Sequence, residues 1–181
     1  MQIHVVTPVT TPGLRVADDF TRFVSAGVDI VHHLLDDGPT TIESHVDEAM
    51  AVPGVLRKVA EAESAGADAI VVDCMGDPGV EAAREQSALP VIGPAQASMH
   101  VASMLGHRFS VLATEQAVVP MTEHLALKYG LSSRLASIRS IDVPVLGLAD
   151  EQRVREVLID RAVAAVTQDA AHVLVLGCTG M

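Results

Sequence analysis

The sequence predicts an α/β protein of two pseudosymmetric lobes, each a parallel sheet flanked by helices, with a ligand site in the cleft between them. Three observations carry that expectation. First, one stretch occurs twice. Residues 67–76 read A-D-A-I-V-V-D-C-M-G and residues 171–180 read A-H-V-L-V-L-G-C-T-G. Each is a β-branched and aliphatic run that ends in Cys, with Gly two places on. Second, near-continuous apolar runs alternate with helix-like segments, which is the pattern of a parallel sheet buried between helices. Third, the order strand, helix, strand, helix, strand-Cys is written twice. Thr7 and Thr114, at the ends of the first strand of each half, lie 107 positions apart, and Cys74 and Cys178 lie 104 apart. The expected lobes are residues 1–93 and 94–181, the second left short of a C-terminal helix and strand that the element order calls for.

Taken in order, residues 2–6 form a strand that ends at the turn-rich Thr7-Pro8-Val9-Thr10-Thr11-Pro12-Gly13. Residues 14–26 read as a helix ending at Gly27, and 28–35 as a second strand. A polar loop runs from Asp36 to Asp47, and an amphipathic helix over 54–65 stops at Gly66. Residues 69–73 are the first cysteine strand. Asp77-Pro78-Gly79 follows, with Asp77 as N-cap and Pro78 in the first helical position of a helix to about Ser87. Residues 89–92 are a short strand and 95–105 a helix. The second half repeats the pattern: strand 108–113, helix 115–129, strand 134–141, helix 150–168 and strand 172–177.

Composition bounds the function. The chain has 181 residues, of which 49% are apolar, enough for a packed core. Three Phe, one Tyr and no Trp leave few stacking platforms for nucleic-acid bases, and a formal charge of −11 disfavours a phosphate backbone. No apolar run approaches the roughly 18 residues of a membrane span. No signal-like segment opens the chain, so a reducing, cytoplasmic home is expected, and two cysteines there are catalytic or inert rather than disulfide-bonded. The expected partner is a small molecule, with no nucleic acid, no membrane and a homo-oligomeric assembly.

Cys74 and Cys178 are the only cysteines. Each stands where a buried strand gives way to a loop, the place where open α/β sheets hold ligands. Unpaired backbone N–H groups there favour both a thiolate and a bound carbonyl oxygen. Asp73 and Asp77 flank Cys74 and oppose that effect if they point inward. Two thiols facing one carbon from opposite sides can invert it, one removing a proton and the other delivering one, without metal or cofactor. Against this stands the plain alternative that a lone strand-end Cys is a small buried hydrophobe. Zinc is not expected, because there is no C-x-x-C and the eight His are scattered. His100 and His107, seven apart, suit one helix face, and His45 is a candidate loop catalyst. Thr7 and Thr114 either bind substrate or cap their loops. Neither G-x-G-x-x-G nor a P-loop occurs.

Cys74-Met75-Gly76-Asp77-Pro78-Gly79, Pro90-Val91-Ile92-Gly93, Gly106-His107-Arg108-Phe109-Ser110-Val111 and Gly177-Cys178-Thr179-Gly180-Met181 together resemble the aspartate/glutamate/hydantoin racemase family, and its hydantoin racemase branch in particular. The resemblance implies a cofactor-independent isomerase with Cys74 and Cys178 as acid and base. It implies substrate contacts from Met75, Gly76, Thr114, Thr179 and Gly180, with Ser98 a further candidate; Thr7 and Thr10, in the loop after the first strand, are candidate substrate contacts on their position alone. Hydantoin racemases commonly carry Asn-Pro-Asn-Ser/Thr after the first strand, where this chain has Thr7-Pro8-Val9-Thr10. A decarboxylase or cis–trans isomerase on the same fold, and a non-catalytic small-molecule-binding accessory protein, are the competing readings.

Overall fold

The first strand, β1 (Gln2–Thr7), becomes fully buried from His4 onward, because its apolar residues are flanked on both sides by other strands. The computed structural model describes residues 1–21 and 24–181. The chain divides into two compact units, Met1–Pro94 and Ala95–Met181. In the first, β1 pairs in parallel with β2 (Asp29–Leu34) and β3 (Ala69–Val72), and β4 (Val91–Ile92) extends the sheet beyond β3, giving the order β2-β1-β3-β4. In the second, β5 (Phe109–Ala113) is central and pairs in parallel with β6 (Leu135–Ser140) and β7 (Val173–Leu176), giving β6-β5-β7. All five residues of β5 are buried, as a central parallel strand requires.

The helices cover these sheets through small and β-branched residues. Helix α2 (His45–Ser64) lays Ala51, Val55, Val59 and Ala62 into a core with Val6, Ile70, Val72, Val80 and Val91. Those four helical positions recur at the spacing of one face. Burying each valine contributes roughly 1.5–3 kcal/mol relative to leaving it in water. Helices α3 (Val80–Gln86) and α4 (Pro94–Leu105) follow β3 and β4. In the second unit, α5 (Val119–Lys128) and α6 (Glu151–Gln168) follow β5 and β6. Asp150 caps α6 by accepting the Arg153 N–H at 3.2 Å. Ile141, Val143 and Val154 form a cluster there, with Leu148, Val157, Leu158 and Met181 packed against it.

Five expectations from the sequence need correction. The helix expected over 14–26 is a single turn, α1 (Asp18–Thr21); residues 14–17 and 24–26 are not helical, and Arg22 and Phe23 lie outside the described residues. The Asp19 carboxylate accepts the Val16 N–H at 3.0 Å, a local bond that competes with helix extension. The loop expected to run through Asp47 ends earlier, because α2 starts at His45 and not at 54. Ser44 caps it, accepting the Asp47 N–H at 3.2 Å, while the Asp47 carboxylate takes the Glu43 N–H at 3.1 Å. Pro53 and Gly54 both lie inside the helix. Gly54 is needed there, since a Cβ would stand 2.8 Å from Leu35 Cδ1 and 3.0 Å from the Asp37 carbonyl oxygen.

The other three lie at loops and helix ends. Asp77 is not an N-cap and Pro78 not the first helical residue: Asp77 (φ 49°) and Gly79 (φ 72°) both take left-handed backbone, and α3 starts at Val80 with Gly79 as its cap. His107 lies beyond the end of α4, so it shares no helix face with His100. His45 is in the exposed first turn of α2, 3.5 Å from Glu48, rather than in a loop.

Candidate active site

Each cysteine is delivered by the same local device. In the first unit the ladder between β1 and β3 runs one bond past the strand, with the Asp73 N–H donating to the Val6 carbonyl at 2.8 Å. Cys74 comes next. Its carbonyl accepts the Asp77 N–H at 3.0 Å, closing a four-residue turn, and its Sγ accepts the Gly76 N–H at 3.4 Å. In the second unit the Gly177 N–H donates to the Leu112 carbonyl at 2.7 Å. The Cys178 carbonyl accepts the Met181 N–H at 3.2 Å, and Cys178 Sγ accepts the Gly180 N–H at 3.5 Å. Both cysteines are part-exposed and neither is in a disulfide. An N–H aimed at sulfur favours the charged form of the thiol.

This register corrects one sequence equivalence. Val6 stands opposite Val72 and Leu112 opposite Leu176, each two residues before its cysteine. Thr7 therefore matches Ala113, and Thr114 matches Pro8. The two threonines are one position out of step, and one step along a strand reverses the face to which a side chain points.

Among the expected substrate-binding residues, Met75, Gly76, Thr179 and Gly180 form the two cysteine turns. A Cβ at Gly76 or at Gly180 would stand 3.7 Å from its own unit's sulfur, an ordinary contact. Thr7 is buried, and its hydroxyl donates to Asp73 Oδ2 at 3.1 Å and lies 2.9 Å from His32 Nε2. The Thr10 hydroxyl donates to the Pro39 carbonyl at 3.3 Å. Ser98, on α4, donates to the Ala95 carbonyl at 3.3 Å. Thr114 is buried just past β5, and its carbonyl accepts the Val143 N–H at 3.0 Å and the Ser140 hydroxyl at 3.3 Å.

Sequence reasoning did not single out Arg15 or His32. Arg15 Nε donates to Asp73 Oδ2 at 3.0 Å, and its guanidinium lies 4.7 Å from the centre of the Phe20 ring. Burial holds the His32 imidazole below its ordinary value of 6.5, as it does for His4 and His33. His33 Nε2 and His4 Nδ1 are 2.9 Å apart in a stacked pair. Among the described residues no group of three or more His, Cys, Asp or Glu is arranged to hold a metal ion, and no helix is long and apolar enough to cross a membrane.

The comparisons with known proteins agree with this layout. Residues 15–181 match the family model for Asp/Glu/hydantoin racemase. The hydantoin racemase of Rhizobium meliloti is 38% identical over 184 residues, covering all of this chain and 76% of that protein. The allantoin racemase of Klebsiella pneumoniae superposes with a TM-score of 0.94 at 35% identity, covering all of this chain and 75% of the other. The allantoin racemase of Pseudomonas fluorescens gives a TM-score of 0.94 at 30% identity, over all of this chain and 78% of that one. Arylmalonate decarboxylase, at 19% identity and a TM-score of 0.68, shares the fold. From the repeated cysteine turns, the two parallel sheets and these likenesses together, the chain belongs to the Asp/Glu/hydantoin racemase family and is an enzyme of the isomerase class.

Proposed function

We propose that this chain is a cofactor-independent racemase that inverts an acidic carbon beside a carbonyl, in a hydantoin-like ring or an amino-acid derivative, with Cys74 and Cys178 as the acid–base pair. The observation that carries this reading is the duplicated turn, in which each sulfur accepts the N–H of the glycine two residues on. Two thiols presented alike suit a reaction that must run in both directions. One cysteine, as thiolate, takes the proton from carbon and becomes a thiol. The other, as thiol, gives its proton to the opposite face and becomes a thiolate. The product is the mirror form, and the two sulfurs have exchanged protonation states, ready for the reverse turnover. In this reading the backbone of the Met75-Gly76 and Thr179-Gly180 segments would supply N–H groups to the enolate oxygen that develops when the proton leaves. The similarity to hydantoin and allantoin racemases supports cyclic ureides as the first substrates to try.

The test is decay of optical rotation in D₂O, with chelator present, on L- and D-5-substituted hydantoins, allantoin, aspartate and glutamate. Decay on one compound, with deuterium appearing at the inverted carbon, is the expected outcome. Ligand binding with no exchange on any compound overturns the reading in favour of a non-catalytic binder.

A further inference from the structure

Asp73 is the residue directly before Cys74, and it is only 6% exposed. A carboxylate this deep must be matched by donors or by an opposite charge. Two residues from a different part of the chain meet it. The Thr7 hydroxyl donates to Oδ2 at 3.1 Å and Arg15 Nε donates to the same oxygen at 3.0 Å. Because the Thr7 proton goes to Asp73, the Thr7 oxygen acts as acceptor toward His32, so His32 carries its proton on Nε2 at 2.9 Å. Arg15 also reaches Asp19 at 3.4 Å and covers the Phe20 ring. The end of β1, the segment with α1, and β2 thus converge on the residue from which the cysteine turn departs.

The charges around that point are Asp73 itself, Arg15 and Asp19 from the segment after β1, the neutral His32 from β2, and Asp77 in the same turn as Cys74. An uncompensated carboxylate one residue from a thiol opposes its ionisation. The second unit has no such problem, since Gly177 stands where Asp73 does. The matched charge in the first unit therefore has a task that the second does not need.

We infer that Arg15 is a positioning residue for Cys74: its ion pair neutralises the carboxylate directly before the thiol and holds that strand end, so that Cys74 can reach its thiolate. The inference rests on the reading of Cys74 as a proton-transfer group. Its test needs no substrate. In the full chain carrying Cys178→Ser, only Cys74 remains to be alkylated, and the rate of its reaction with iodoacetamide against pH reports its ionisation. Arg15→Met raises the pH midpoint by about one unit, a roughly tenfold slower reaction near neutral pH. Asp73→Asn, which leaves Arg15 with only the more exposed Asp19 as partner, lowers it. The double variant returns to near the parent. Midpoints that stay at the parent value in the folded single variants overturn the inference. If Arg15→Met does not fold, Asp73→Asn alone decides, and an unchanged midpoint there is equally fatal. Failure to racemise any compound leaves this measurement standing, and an unmoved midpoint leaves the two-cysteine proposal standing.

Discussion

The two cysteine turns share a backbone and differ in what surrounds it. Around Cys74 the neighbours are charged and buried: Asp73 and Asp77 are 6% and 4% exposed, and Arg15, Thr7 and His32 are drawn in to satisfy Asp73. Around Cys178 the corresponding positions are Gly177 and Met181, and Met181 packs against an apolar cluster. Gly177 permits the close approach there, since a Cβ would stand 2.6 Å from the Leu112 carbonyl oxygen and 3.1 Å from Ala113 Cα. One turn is held by an electrostatic network and the other by contact. A backbone device can thus be duplicated while the means of holding it are not.

The largest expected effect tests what the turns have in common. Cys74→Ser and Cys178→Ser should each lower racemisation by at least about 100-fold, because a serine hydroxyl is far too weak an acid to exchange protons near neutral pH. Steady-state rates on whichever compound racemises will show this. Near-normal turnover in either variant would break the equivalence of the two turns.

A smaller effect sharpens the difference. Gly177→Ala forces a methyl group onto backbone atoms that cannot move aside cheaply, and should cost about 3 kcal/mol. Gly76→Ala meets only Cys74 Sγ at 3.7 Å and Pro78 Cδ at 3.9 Å, both ordinary contacts, and should shift stability by no more than about 0.5 kcal/mol. Urea midpoints of the two variants against the parent decide it, and equal losses would mean that contact does not hold the second turn more tightly than the first.

The smallest effect concerns acid. Burial holds His4, His32 and His33, all in the first unit, below their ordinary value of 6.5. The unfolded chain takes up protons at the ordinary value and the folded unit only at lower pH. Their contribution is therefore complete above about 6.5 and is lost as pH falls below it. In the second unit, hydrogen bonds from Arg139 and Ser137 hold the Asp169 carboxylate below its ordinary 3.8. That contribution persists until pH falls below 3.8 and is lost through the depressed value. Limited proteolysis near pH 5 should therefore cut the first unit before the second, and the reverse order would contradict the assignment.

Much of this was legible in the sequence because its strongest signals are local. The apolar runs before Cys74 and Cys178 gave the cysteine strands, and Gly66 and Gly130 marked where helices end. The helix expected over 54–65 starts too late because Pro53 and Gly54 are poor helix formers, and only contact with Leu35 and Asp37 explains the glycine. The signal that could have found the α2 start is Ser44-His45-Val46-Asp47, a capping pattern. Matching Thr7 to Thr114 failed because spacing cannot fix register to one residue, whereas the Val6–Val72 and Leu112–Leu176 pairings do. Arg15 was invisible for another reason: 58 residues separate it from Asp73, and no periodicity links a loop arginine to a strand end.

Gly93 carries a consequence for how this sequence can change over time. A Cβ there would fall 2.4 Å from the Asp77 carboxyl carbon and within 2.6 Å of both its oxygens. Asp77 is itself a non-glycine residue in left-handed backbone, buried in the turn that carries Cys74. A side chain at position 93 therefore requires the buried Asp77 carboxylate to move aside. The two sites are coupled, and a change at 93 should cost less once position 77 carries a smaller side chain, which sets a preferred order of substitution.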